Sequence, residues 1–263
     1  MRILVLDGGG QLGAFQWGAM TELHRQGIDY HFFDYYICTS SGAFNAAYFL
    51  TEQMEEGKRN WLKNLSERFW KIFKNDMPAL ENILRYIEPL HCDQIKSRKQ
   101  KIIVALSNLK TKKADYICLN EERDIIKALL ACCAMPFFTK PGELHGNQYY
   151  DGSLIGQPQI DKAFSLGGAE IWIIMMQPPG YRLNLFYWKV FSWLSIFNHN
   201  LKDILVRCPS IRNDILQRIE NNAQLKVIRP ASTLPIDYRN KNLELIKRCY
   251  ALGQTVASEF LKK

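Results

Sequence analysis

The sequence predicts an α/β fold built on a parallel sheet, and three observations carry that expectation. Two short apolar runs near the N-terminus each end in a turn of small residues and each lead into a helical pattern. At 263 residues the chain can bury a large core without a metal or a disulfide. A composition of 47% hydrophobic and 23% charged residues excludes a disordered chain and a multi-span membrane protein.

Arg2 to Leu6 is the first apolar run, a buried strand stopping at a glycine cluster. Leu12, Phe15, Ala19, Met20 and Leu23 then recur at helical spacing up to Gly27, a glycine placed to end the helix. Phe33 to Cys38, rich in aromatic and β-branched residues, is the second strand, and Ala43, Ala46, Ala47 and Leu50 mark the helix after it. Two consecutive strand-turn-helix units imply parallel strands joined by right-handed crossovers.

Trp61, Leu62, Leu65, Phe69, Trp70 and Phe73 form the apolar stripe of a further helix, with Lys58, Arg59, Lys63, Arg68, Lys71 and Lys74 opposite. Such a stripe suits a core and suits a lipid surface. Further strands are expected at Lys101 to Leu106, Asp115 to Leu119, Gln148 to Tyr150 and Glu170 to Met176, and a helix at Glu121 to Cys133, ended by Pro136.

From Leu183 to Phe197 nearly every residue is apolar or aromatic except Lys189, Ser192 and Ser195, which share one helical stripe, so this helix packs in a core or meets an apolar partner. Asn242 to Lys262 is a closing helix. With no repeat or low-complexity linker, the expectation is one domain over 1–263, its core about 1–180 and a mainly helical extension about 181–263.

The longest uncharged run, Tyr35 to Thr51, has 17 residues and contains Thr39, Ser40, Ser41 and Asn45, which is short of a bilayer span. Four apolar residues before Asp7 are too few for a secretory signal. The seven cysteines are scattered, with no C-x-x-C pair, so reduced thiols, a cytoplasmic location and no metal site are expected. The net charge of +8 is concentrated between Lys96 and Lys113, where seven basic residues meet no acidic one. A local positive field would attract an anionic membrane at the periphery; no nucleic-acid motif accompanies it.

Asp7-Gly8-Gly9-Gly10-Gln11-Leu12-Gly13 joins strand to helix, and its glycines leave backbone amides open to an anion or a developing oxyanion. Gly8, Gly10 and Gly13 also satisfy the dinucleotide pattern G-x-G-x-x-G. That reading wants an acidic residue at the end of the second strand, which instead ends in Cys38-Thr39-Ser40-Ser41, with Asp34 near its start.

Cys38-Thr39-Ser40-Ser41-Gly42 has the form of a nucleophile elbow, a sharp turn that lifts a serine above the sheet. A serine hydroxyl needs a base. None of the five histidines lies in a motif, His145 being the nearest to a candidate, whereas Asp151-Gly152 at the end of a short strand supplies a carboxylate.

Together, Gly8-Gly9-Gly10-Gln11-Leu12-Gly13, Thr39-Ser40-Ser41-Gly42-Ala43 and Asp151-Gly152 resemble the patatin-like phospholipase family in order and in spacing, 32 residues from Gly8 to Ser40 and 111 from Ser40 to Asp151. Ala14-Phe15-Gln16-Trp17-Gly18-Ala19, Asn45-Ala46-Ala47 and Ala131-Cys132-Cys133-Ala134-Met135-Pro136-Phe137-Phe138 are similar to that family's flanking segments. The resemblance covers roughly residues 1–180.

It implies a three-layer α/β/α fold with a mostly parallel sheet, and a hydrolase that releases fatty acids from phospholipids or other glycerolipids. Ser40 would be the nucleophile, Asp151 its base, and Gly8, Gly9 and Gly10 the oxyanion hole, with Gly13, Gly42 and Gly152 shaping the turns and no cofactor required. Leu12, Cys38 and Ser153 depart from the family's usual residues. Two other readings stand beside it: a soluble carboxylesterase or thioesterase, and a nucleotide- or lipid-binding protein without hydrolase activity.

Overall fold

The computed structural model describes residues 1–65, 77–195, 198–240 and 242–262. Among these, eight strands form one sheet: β1 (Arg2–Leu6), β2 (Tyr35–Cys38), β3 (Lys101–Asn108), β4 (Ala114–Cys118), β5 (Gly142–Leu144), β6 (Asn147–Asp151), β7 (Glu170–Ile174) and β8 (Lys226–Ile228). Their order is β5-β6-β3-β2-β1-β7-β8, with β4 also paired to β3. From β3 through β2, β1 and β7 to β8 every pairing is parallel; β4, β5 and β6 are antiparallel additions.

The helices are α1 (Gly13–Arg25), α2 (Ser41–Leu50), α3 (Met54–Arg59), α4 (Met77–Asn82), α5 (Cys92–Ser97), α6 (Ile125–Ala131), α7 (Ile160–Ser165), α8 (Leu185–Ser192), α9 (His199–Glu220) and α10 (Leu243–Leu261). α1 ends as its sequence foretold: Gly27 takes φ +82°, and the Ile28 amide closes onto the Leu23 carbonyl. Asn242 caps α10, its side chain accepting from the amides of Glu244 and Leu245.

Alternation along the strands divides the core into two. Leu4 and Leu6 of β1, Tyr36 and Cys38 of β2, and Trp172 and Ile174 of β7 face one layer, filled by α1, α2 and α10. Ile3, Val5, Ile37, Ile171 and Ile173 face the other, against Ile160 and Ala163 of α7 and Ile215, Leu216 and Ile219 of α9. Strands buried on both faces read as continuous apolar runs, as these do. The result is the three-layer arrangement with a mostly parallel sheet.

Several expectations shift in detail. The second strand starts at Tyr35, after a short turn of helix over Tyr30–Phe32, and the sixth helix is confined to Ile125–Ala131. The stripe that begins at Trp61 is described only as far as Leu65; Arg68, Phe69, Trp70, Lys71, Phe73 and Lys74 lie outside the described residues. Trp61 and Leu65 are buried core residues. The basic segment is split by β3, eight residues long, which spans roughly 25 Å and sends Lys96, Arg98, Lys99 and Lys101 to one end of the sheet and Lys110, Lys112 and Lys113 to the other.

Of the two expectations for the α8 segment, packing wholly in a core is not met. Ser192 is fully buried and Ser195, in the turn that follows, 4% exposed, whereas Lys189 is exposed and Phe186 is 70%, Trp193 69% and Leu194 65% exposed. Among the described residues no helix is long and apolar enough to cross a membrane.

Candidate active site

The two small-residue turns leave β1 and β2 side by side at the carboxyl end of the sheet, where Leu6 is in register with Cys38. After Cys38 the chain turns sharply at Ser40, which adopts φ 52° and ψ −124°, a conformation that costs a non-glycine residue about 1–3 kcal/mol. α2 starts at Ser41, so its positive end lies at the serine. The turn closes only because Gly42 has no side chain: a Cβ there would sit 2.6 Å from the Leu6 carbonyl oxygen.

Asp151 reaches this turn through β3. β3 pairs with β4 along one edge over Ile103 to Ser107, which leaves the opposite edge to both β2 and β6. β2 occupies it up to Val104, opposite Cys38, and β6 takes the overhang, with Leu106 opposite Asp151. The end of β6 therefore abuts the turn that follows β2. Gly152 continues tightly against β3, where a Cβ would lie 2.3 Å from the Ala105 carbonyl oxygen.

The Asp151 carboxylate is almost fully buried. It accepts a hydrogen bond from the Ser153 amide at 2.9 Å, and the hydroxyls of Ser40 and Ser153 are near enough to favour its charged form. Burial nonetheless wins and pushes its pKa from 3.8 up to about 6, because desolvation of the charge outweighs these groups and the nearby Arg212. Ser153, one of the departures in the sequence, thus supplies a hydroxyl that favours the ionised carboxylate. Cys133 Sγ lies 4.0 Å from Ser40 Oγ, and its burial raises the thiol far above its ordinary range, so it stays protonated.

The glycine loop faces the serine. Gly8, Gly9, Gly10, Ser40 and Asp151 line one cavity of ≈ 850 Å³, walled largely by apolar side chains including Phe44, Leu65, Phe138, Trp188 and Leu194. Gln157 clamps the Gly8 peptide, accepting from its amide at 2.9 Å and donating to its carbonyl at 3.1 Å. The Gly9 amide donates to Ser41 Oγ at 3.1 Å, and Asp7 Oδ1 also accepts from the Gly8 amide.

Behind the loop a buried polar chain runs from Trp61 Nε1 to Asn45 Oδ1 at 2.7 Å, from Asn45 to Gln16 at 2.9 Å, and from Gln16 to the Asp7 carbonyl at 3.1 Å. Gly13 is where Trp61 packs; a Cβ would meet its ring at 2.5 Å.

All the predicted site residues are thus gathered at one place. His145 is not among them: it sits in the hairpin turn between β5 and β6 with Glu122 at 3.3 Å, and no histidine is among the described residues of the cavity wall. Asp34 accepts from the Arg2 amide at the opposite end of β1, so no carboxylate stands where a ribose would need one. Sequence reasoning missed Gln157 and Arg212, which line the cavity from the segment after β6 and from α9; neither lies in a motif. Asp7 is the residue that a closer look at the glycine loop would have found, being a carboxylate buried at the head of the motif, its pKa raised by desolvation to about 6. Among the described residues no group of His, Cys, Asp and Glu is gathered as a metal site.

Comparison with known proteins agrees with this geometry. The profile of the patatin-like phospholipase family matches residues 4–163. The crystal structure of VipD from Legionella pneumophila superposes with a TM-score of 0.58 at 12% identity, covering 99% of this chain and 66% of that one, a likeness of fold. This chain accordingly spans slightly under two-thirds of that relative's length. No curated protein matches the sequence. With matched residues extending over more than half of its length and from the glycine loop through Asp151, the protein belongs to the patatin-like phospholipase family.

Proposed function

We propose that the protein is a lipid acyl hydrolase that cleaves fatty-acid esters of phospholipids through a Ser40–Asp151 dyad. The observation that carries this reading is a serine on a strained elbow beside a desolvated carboxylate, both facing one cavity lined mainly by apolar groups.

Ser40 Oγ attacks the ester carbonyl carbon while its proton passes to Asp151. The carbonyl oxygen becomes an oxyanion facing the Gly8, Gly9 and Gly10 amides. Gln157 and Ser41 hold the Gly8 and Gly9 amides at rest, so the oxyanion displaces these acceptors to gain their donors. Protonated Asp151 then gives its proton to the departing lysolipid alkoxide, leaving an acyl-serine. Water, deprotonated by Asp151, attacks the acyl carbon, and Ser40 regains its proton as the fatty acid leaves.

α8 supports a lipid surface as the place of work. Tyr187, Trp188, Val190 and Leu194 line the cavity, and the same helix turns Phe186 and Trp193 outward. From Ile171 to Lys202 the chain has no acidic residue, and Lys112, in the turn after β3, pairs with Asp203 beside the start of α9. An apolar face with basic flanks suits an anionic bilayer.

The deciding experiment measures fatty-acid release from defined phospholipid vesicles, with fluorophosphonate labelling of the same samples. Release and labelling by the wild type, both lost in Ser40→Ala, are expected. Labelling with turnover of short-chain esters only would select a soluble esterase, and an unlabelled, inactive wild type would select a binding protein.

A further inference from the structure

Arg212 is the one basic side chain among the described residues lining the cavity, and it is only 8% exposed. It comes from α9, outside the segment matched to the family. A guanidinium carries five N–H donors and is costly to bury without partners. Among the described residues it makes one contact, Nη2 to Asp7 Oδ2 at 3.5 Å, the outer limit of a hydrogen bond, while Nε is buried with no partner.

Arg229 shows what a satisfied neighbour looks like: its guanidinium is held by the carbonyls of Gln177 and Pro178 and by Glu220. Asp7 is a weak counter-ion, because it already accepts from the Gly8 amide and desolvation opposes its ionisation. Asp151 also acts on the site electrostatically, but its carboxylate is held by the Ser153 amide, and its burial opposes ionisation. Asp237, the other acid of the wall, is exposed and accepts from the Arg239 amide.

We propose that Arg212 is the anion receptor of the cavity, binding the phosphodiester of a glycerophospholipid whose ester carbonyl lies at Ser40, so that the substrate class is phospholipid rather than neutral acylglycerol. This rests on the hydrolase reading above. A planar guanidinium presents paired donors that match two phosphate oxygens, and the apolar surroundings strengthen that attraction while excluding competing water. The acyl chains take the apolar wall and the charged head takes the one cation available. A neutral lipid leaves that cation unpaired, which is the discriminating penalty.

The test has a binding arm and a kinetic arm. Dodecyl phosphate, dodecanol and laurate, all below their micelle concentrations, are titrated against wild type by tryptophan fluorescence, Trp61 and Trp188 being in the wall. Dodecyl phosphate should bind roughly 10- to 100-fold more tightly than dodecanol, the gain of a charge-assisted hydrogen-bonded pair. Equal affinities overturn the proposal, and tighter binding of laurate overturns it in favour of a carboxylate site.

In the kinetic arm, Arg212→Gln should lower kcat/KM for phospholipid relative to diacylglycerol by a similar factor, mainly through KM, with Arg212→Lys recovering part of it. Equal losses on both lipids, with a shifted pH profile, would show a residue that only positions Asp7 and Asp151, and overturn the assignment. Should wild type release no fatty acid from either lipid, the hydrolase reading fails and the dodecyl phosphate titration still decides whether the anion site exists. Should it hydrolyse both without Arg212-dependent preference, only the present inference fails.

Discussion

Ser40 and Asp151 line the same cavity, although 111 residues separate them, because β2 and β6 share one edge of β3. β2 ends opposite Val104 and β6 ends opposite Leu106, so the turn after one strand and the last residue of the other meet. Their proximity is therefore a consequence of strand register. A slip of one residue in β6 would carry Asp151 to the opposite face of the sheet.

Removing the Ser40 hydroxyl, the proposed nucleophile, should separate chemistry from strain. Ser40→Ala and Ser40→Gly are both expected to lose fatty-acid release by at least ~10³-fold. Because φ is 52° at this position, glycine alone relieves the backbone, so Ser40→Gly should melt a few degrees above Ser40→Ala in a calorimetric scan. Equal melting temperatures would remove the strain argument.

On the proposed mechanism Asp151 sets the pH dependence. It takes the serine proton only when ionised, so kcat/KM should rise with pH through about 6 and level off above it. Stability runs the other way. With the folded pKa raised from 3.8 to about 6, the folded state binds the proton more tightly than the unfolded chain, so the contribution of Asp151 weakens as pH rises across that window. Asp151→Asn should abolish turnover yet melt higher than wild type at pH 7, by an amount of order 1–3 kcal/mol. A lower melting temperature at pH 7 would contradict this.

Ser153 bears on the same carboxylate. Ser153→Ala removes a nearby hydroxyl that favours its charged form and leaves the amide donor in place, so Asp151 should become harder to ionise. The acidic limb of the pH–rate profile is expected to move upward by a few tenths of a unit or more, with activity retained above it. An unmoved limb would show that the hydroxyl plays no part in holding the charge.

The turns tolerate no side chain. Gly42→Ala would bring a methyl to 2.6 Å from the Leu6 carbonyl oxygen, and Gly152→Ala one to 2.3 Å from that of Ala105, both rigid backbone atoms in the sheet. Each should lower stability by roughly 1–3 kcal/mol and cut turnover disproportionately, since the displaced strand ends carry the reacting groups. Parallel measurement of melting temperature and kcat checks both effects.

The outward face of α8 offers a separate handle. Phe186→Glu with Trp193→Glu alters two exposed residues outside the cavity wall. Vesicle sedimentation should fall by roughly tenfold or more, from the loss of buried apolar area and the added negative charge. Hydrolysis of a monomeric short-chain ester should change little. Unchanged sedimentation would exclude this helix as the lipid contact.

Much of the fold was legible in local pattern. β1, β2, α1 and α2 follow from apolar runs broken by small residues, and the closing helix from its period and its Asn242 cap. β6 was expected, but its hairpin partner β5, the three-residue β8 and the bounds of the long α9 within the helical extension were not seen, because short strands and a helix whose apolar stripe is interrupted by charges give weak periodic signals. The inward turn of Ser192 and Ser195 was hidden for a different reason. A sequence shows that a helix has two faces, and not which of them its neighbours leave room for.

By itself the sequence determined the residue types proposed to react and the tight turns that hold them, since only glycine and small side chains permit those backbone paths. What tertiary structure alone decided was convergence and charge. Register on β3 joined Ser40 to Asp151, burial raised that carboxyl toward neutrality, and α9 brought Arg212 into a cavity assembled from distant segments. These depend on distance and desolvation, which belong to the packed chain and to no stretch of its sequence.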